Sequence, residues 1–274
     1  MVGVGTSGIG TYSLGGTGAI SIPGTSSGTL GLYVGYNGRG TFNQSGGSVT
    51  VGGSSNANVS LAYNASSAGT YLVSGGSLAV NGSVSVGGSS SSADGSAAPS
   101  ISGGSISVSN AWTIYLGGTL SESAGTLTVG QLIIKSGGIL QLSGGTLNAF
   151  TTHIQRVGST SNFGTIQSTS NLTLAGVLAL YEDAADEATT TSNQSFTVVQ
   201  ATNGGLLRGA FSNIPSGQML TTTDDTASFL VTVNSGVDGD VVLSDFQAVP
   251  EPSAAGAIRI AAASMLLRRR RRFE

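Results

Sequence analysis

Short apolar–polar–apolar triplets recur along the first half of this chain, each behind a glycine-rich turn. Val49-Thr50-Val51 follows Ser45-Gly46-Gly47-Ser48, and Leu78-Ala79-Val80 follows Ser74-Gly75-Gly76-Ser77. Ile106-Ser107-Val108 follows Ser102-Gly103-Gly104-Ser105, Leu127-Thr128-Val129 follows Ser123-Ala124-Gly125-Thr126, and Leu147 follows Ser143-Gly144-Gly145-Thr146. Period two marks a half-buried strand. The glycines supply the turn, because glycine reaches positive φ without a Cβ clash. A second strand follows in most copies: Leu32-Tyr33-Val34, Val59-Ser60-Leu61, Val84-Ser85-Val86, Ile114-Tyr115-Leu116 and Leu132-Ile133-Ile134. A Gly-Thr-aromatic start also recurs, at Gly10-Thr11-Tyr12, Gly40-Thr41-Phe42 and Gly69-Thr70-Tyr71. No part of the body carries a helical period.

With Gly15-Gly16 as a degenerate first copy, the second glycines fall at 16, 47, 76, 104, 125 and 145. One such unit cannot bury its apolar face alone, whereas stacked units can. The pattern predicts an all-β chain: a right-handed parallel β-helix over 1–180, with inward Val, Leu and Ile ladders. Seven or eight windings at about 4.8 Å each give a rod of roughly 35 Å. A propeller or sandwich is the alternative, but propeller blades need about 40 residues each, more than this spacing allows. Ser54-Ser55-Asn56 and residues 89–92 read as outward loops. The first winding, lacking a cap, is expected to be poorly ordered.

The pattern changes near Tyr181. The acidic patch Glu182, Asp183, Asp186 and Glu187 is followed by Ser195-Phe196-Thr197-Val198-Val199, Gly209-Ala210-Phe211, Phe229-Leu230-Val231-Thr232-Val233 and Val241-Val242-Leu243. These read as antiparallel strands forming a small β cap over 181–246. Residues 247–253 read as a linker, and 254–274 as a short apolar helix with a basic end.

Composition narrows the function classes. The chain has 274 residues, 44 of them glycine, and no cysteine, so disulfides and thiolate metal sites are excluded. The net charge of −3 hides an asymmetry: six of the ten basic residues are Arg259, Arg268, Arg269, Arg270, Arg271 and Arg272. The remaining body is acidic, which disfavours nucleic-acid binding.

Catalytic sets are sparse. A lyase or hydrolase on a β-helix needs clustered carboxylates, but residues 1–150 hold only Asp94 and Glu122. His153 is the sole histidine, with no acidic residue beside it. Gly24-Thr25-Ser26-Ser27-Gly28 fits a nucleophile-elbow pattern, but Pro23 precedes it and a β-like segment follows, where an elbow needs a strand and then a helix. Gly3-Val4-Gly5-Thr6-Ser7-Gly8 matches a dinucleotide loop without its strand, helix or acidic partner. No cofactor and no metal site is expected. The acidic patch, Asp224-Asp225 and Asp238-Gly239-Asp240 read as solvated turns, with weak surface calcium binding as the alternative. Tyrosines recur in the repeats, and Tyr33 and Tyr63 are the candidate carbohydrate contacts.

The C-terminus carries an ordered set of signals: Val249-Pro250-Glu251-Pro252-Ser253, an apolar run over 254–267, then Arg268, Arg269, Arg270, Arg271 and Arg272. A basic block beside an apolar run stays on the cytoplasmic side of a membrane. This tail resembles the PEP-CTERM sorting signal of exported bacterial proteins, with Pro250-Glu251-Pro252 as the name-giving tripeptide. The resemblance implies export, transient anchoring in the inner membrane, an exosortase-type membrane protease as partner, and association with exopolysaccharide. The repeats resemble autotransporter-associated β-strand repeats. The apolar run of 14 residues is shorter than the ~20 a spanning helix needs and contains Arg259, so it suits a transient signal better than an anchor. The chain opens without a basic or apolar leader and within its repeat, so it is expected to be N-terminally truncated, with a signal peptide upstream. The expectation is a non-enzymatic surface or extracellular-matrix structural protein. A carbohydrate-binding β-helix module is the alternative, and a polysaccharide lyase or hydrolase comes third.

Overall fold

The computed structural model describes residues 1–24, 31–53, 55–88, 95–156 and 163–249. Over these residues the protein is all-β, dominated by a long and mostly parallel sheet system. The exception is one helical turn, Ala184–Glu187, whose N-cap Asp183 accepts the amide of Asp186.

Strand pairing falls into three parallel series, each linking one repeat copy to the next. In the first, Ile9–Leu14 pairs with residues 39–44 and these with 68–73. It continues through Ser96–Ala97 and residues 100–101 to 119–122, Ile139–Leu142, Thr165–Ser168 and Phe196–Ala201. The Gly-Thr-aromatic starts lie level here: Tyr12 opposite Phe42, and Phe42 opposite Tyr71. Their rings pack in tilted contact at 5.1 and 4.6 Å between centroids.

The second series joins Ala19–Pro23 to 48–52, 77–80, 105–108, 126–129 and 146–149. The sequence triplets lie here, with Val49, Leu78, Ile106 and Leu127 forming one buried ladder. The third series joins Gly31–Val34, Asn58–Leu61, Val84–Val86, 112–114, 131–134, 151–156 and Val177–Glu182. Val34, Leu61, Val86, Ile114, Ile134, Ile154 and Leu180 are its fully buried rungs. In-register pairing places each apolar residue on its counterpart, so one pattern fills a continuous core.

The turn glycines explain why the copies lie so close. All six second glycines take positive φ, from 61° at Gly16 to 95° at Gly125. At Gly76 a Cβ would lie 2.3 Å from the carbonyl oxygen of Gly47 in the preceding copy. That position therefore excludes a side chain twice, by conformation and by space.

Several expectations are corrected. The strand expected over Ile114-Tyr115-Leu116 is shifted: Trp112 and Ile114 are the buried rungs, and Leu116 is exposed. Tyr115 and Leu116 instead enter a turn closed by Gly118 N–H on the Tyr115 carbonyl. The first copy is held in register, because all of Ile9–Leu14 and Ala19–Pro23 pairs along one side. Beyond the acidic patch not every strand is antiparallel. Phe196–Ala201 lies parallel on Thr165–Ser168, and Leu206–Gly209 lies parallel on Leu172–Leu174. The antiparallel set comprises Asp240–Ala248 between Phe196–Ala201 and Ala227–Asn234, with Gln218–Thr221 at its edge. Gln247 and Ala248, expected in a linker, belong to that strand. Ser54 and residues 89–92 lie outside the described residues.

Candidate functional site

Tyr33 and Tyr63, 30 residues apart in the chain, meet on one corner of the body. The corner forms because the ladder continues past Gly31–Val34. The amides of Ala62, Tyr63 and Asn64 donate to the carbonyls of Val34, Gly35 and Tyr36. Gly35 and Ala62 both turn the chain at positive φ, 76° and 56°. Tyr36 therefore lies level with Tyr63, and Asn37 with Asn64. The rings of Tyr36 and Tyr63 stack at 5.1 Å with 9° between planes. Tyr33 stands edge-on to both at 5.3 Å. Asn64 Nδ2 donates to Asn37 Oδ1 at 2.5 Å. Burial, then the neighbouring phenols of Tyr63 and Tyr36, push the Tyr33 phenol above its ordinary pKa. The rings are partly buried and fill one another's space, so they form no cage for a cation. What they offer is an outer aromatic face flanked by amides. Tyr36 is the residue the sequence candidates missed, although the dipeptide Tyr-Asn, repeated at 36 and 63, was the available signal.

The other repeat tyrosines do different work. Tyr12 and Tyr71 belong to the aromatic ladder with Phe42. Tyr71 is buried and donates to Gln44 Oε1 at 2.7 Å. Tyr115 underlies the Lys135 ammonium at 5.0 Å from the ring centre.

Several of the described body carboxylates are occupied structurally. Glu122 lies in the inward ladder between Ile101 and Leu142 and is buried. Its Oε1 accepts the Thr146 amide at 3.0 Å, and burial raises its pKa to about 7. The acidic patch is not a set of solvated turns. Glu182 lies level with Arg156 at the end of the third series, and both side chains point inward. Arg156 Nη1 meets Glu182 Oε1 at 2.5 Å, and Nε lies 3.7 Å from Asp186 Oδ1. The Thr190 hydroxyl bridges this group, and the guanidinium sits 5.2 Å above the Phe196 ring. Burial pushes Glu182 up, opposed by its bonds to Thr190 and Arg156. This buried ionic group joins the last strands of the third series to Phe196–Ala201.

His153 occupies an outward rung between Ile133 and Ala179, and burial lowers its pKa. Neither neighbour supplies an acid or a nucleophile. Ser26 and Asp94 lie outside the described residues. Asp238 accepts the Gly204 amide, and Asp240 accepts from Asn234. Among the described residues no group of three or more metal-ligating side chains is present.

The second series breaks once. Residues 146–149 pair with 126–129 on one side, but among the described residues no strand pairing joins them to Leu172–Leu174. That strand pairs instead with Leu206–Gly209, which meets Gly236–Val237. The break leaves a mostly apolar cleft of about 300 Å³ between Leu147 and Ala149 on one wall and Leu172 and Leu174 on the other, with Phe211 also lining it. A second space of about 260 Å³ continues it toward Gly144 and Ser170. Phe150, 73% exposed, stands at its rim.

Of the C-terminal signals only Val249 is described; its amide donates to the Thr226 carbonyl at 2.7 Å. Pro250, Glu251, Pro252, Ser253, Arg259, the apolar run and Arg268, Arg269, Arg270, Arg271 and Arg272 lie outside the described residues. Among the described residues no helix is long and apolar enough to cross a membrane. No protein-family model matches the chain, and neither a curated protein nor a solved structure matches it.

Proposed function

We propose that this chain is a non-enzymatic structural protein of the cell surface or extracellular matrix, built as a right-handed parallel β-helix. One observation carries the reading: three parallel series connect successive copies in chain order, so the repeat's chemistry goes into stacking. Right-handedness follows from the near-universal hand of parallel crossovers. The carboxylates a polysaccharide-cleaving enzyme would need are engaged otherwise. Glu122 holds a turn amide, and Glu182 and Asp186 face Arg156. Export, an exosortase-type protease as partner and passage through the inner membrane rest on the C-terminal tail.

The test is a fusion of residues 245–274 to an exported reporter in an exosortase-bearing host. Cleavage and surface display support the sorting role, and an uncleaved fusion removes it. Incubation of the protein with bacterial exopolysaccharides tests the non-enzymatic reading separately, since release of shortened chains contradicts it.

A carbohydrate-binding role is the second reading, favoured by the Tyr33, Tyr36 and Tyr63 cluster with its paired asparagines. Aromatic faces stack on sugar rings, and amides bond their hydroxyls. Binding to a glycan array that survives Tyr33→Ala with Tyr63→Ala rejects this site.

A further inference from the structure

The break in the second series has the form of a missing strand. Five rungs lead up to residues 146–149, and the direction resumes at Leu172–Leu174. On either side the same two windings remain paired. Ile139–Leu142 lies on Thr165–Ser168, and residues 151–156 lie on Val177–Glu182. Residues 143–148 and 170–175 therefore part locally around a cleft whose long walls are strand edges; it closes at one end where the Thr169 amide donates to the Leu142 carbonyl, and at the other at Gly176, where a Cβ would lie 2.7 Å from the Ala149 carbonyl oxygen.

We propose that this cleft accepts an extended peptide strand from a partner chain, uncharged at the contact and carrying the apolar–polar–apolar triplet. Three features select that occupant. The cleft continues an interface already built from parallel strands, so an incoming strand meets edges that run in the direction the neighbouring rungs use. Its walls are backbone edges, whose N–H and C=O groups would be orphaned beneath an acyl chain but paired by a peptide. Its side-chain lining of Leu147, Ala149, Leu172, Leu174 and Phe211, with Asn148 and Thr173, carries no charge and suits alternating apolar residues. Added strands of this kind gain affinity from main-chain bonds and specificity from alternate side chains. The inference is independent of whether the chain is exported.

The probe is a labelled peptide, Gly-Thr-Leu-Thr-Val-Gly, copying the adjacent rung at residues 125–130. Titrated against the full chain, it should bind saturably below about 1 mM. Ala149→Trp, which fills the cleft, should weaken binding at least about tenfold, while the outward Ala79→Trp leaves it unchanged. Backbone N-methylation of the peptide should weaken it equally. On the unmodified protein, hydrogen exchange should show new protection confined to residues 146–149 and 172–174. Absence of saturable binding, indifference to Ala149→Trp, or equal binding of the N-methylated peptide overturns the proposal; the last result would mean that any apolar chain is accepted. Should Ala149→Trp unfold the protein, protection spread over other segments or absent altogether overturns it just as well.

Discussion

Glu122 accepts the backbone N–H of Thr146 at 3.0 Å from within an inward ladder, where its neighbours above and below are Ile101 and Leu142. A buried carboxyl group in such a position holds its proton more tightly when folded than when unfolded. Its pKa rises from 4.5 to about 7. The stabilisation linked to that proton is fully present below the unfolded value and is lost as pH rises through the folded one. Glu122→Gln keeps an acceptor for Thr146 and removes the ionisable group. It should match the parent protein near pH 4 and exceed it at pH 8 by up to about 3 kcal/mol. Urea unfolding at both pH values measures this, and equal stability gaps at the two would contradict it.

The turn glycines separate conformation from space. Gly16 takes φ of 61° with no atom near a would-be Cβ, whereas Gly76 takes 77° with the Gly47 carbonyl 2.3 Å away. Gly16→Ala should cost about 1–2 kcal/mol, the left-handed penalty alone. Gly76→Ala should cost clearly more, because backbone of the preceding repeat copy has to move. Thermal denaturation of the two variants provides the comparison.

Arg156 faces two buried carboxylates at the junction with Phe196–Ala201. Arg156→Met should destabilise by about 3–5 kcal/mol, since it leaves buried charge without its cation. Adding Glu182→Gln and Asp186→Asn should recover most of that loss. Chemical denaturation of the single and triple variants decides the matter: a triple variant no better than the single one would mean that packing, and not charge, dominates.

The Tyr36–Tyr63 stack predicts a coupling. A double-mutant cycle with Tyr36→Ala and Tyr63→Ala should return an interaction of about 0.5–1.5 kcal/mol beyond burial. A coupling near zero would show that the two rings stand side by side without supporting the corner.

Much of this architecture is legible in the residues. The second glycines, the triplets and the Gly-Thr-aromatic starts lie level in space because stacking demands the same residue types at the same height. The pattern fails where tertiary context overrides period two. Ile114-Tyr115-Leu116 alternates, but the true rungs begin two residues earlier at Trp112, as the chain must turn before Gly117 and Gly118. The acidic patch reads as exposed because charge is seldom buried, and nothing local reveals that Arg156, on the strand paired with Val177–Glu182, receives it. The cleft is invisible for a similar reason: Leu172-Thr173-Leu174 has the usual triplet form, and its departure is set by Leu206–Gly209 further along the chain.

The central claim is that distance grows with the number of paired repeat copies and not with residues in the chain. The absence of cysteine allows clean spin labelling at introduced sites. Ser21, Thr50, Ala79, Ser107, Thr128 and Asn148 form one ladder of the second series. Labels at Ser21 with Thr128, and at Ser21 with Asn148, should give narrow pulsed-dipolar distances of roughly 19 and 24 Å, four and five steps of about 4.8 Å. A pair of broad distributions, or a difference far from one strand spacing, would contradict the parallel stacking.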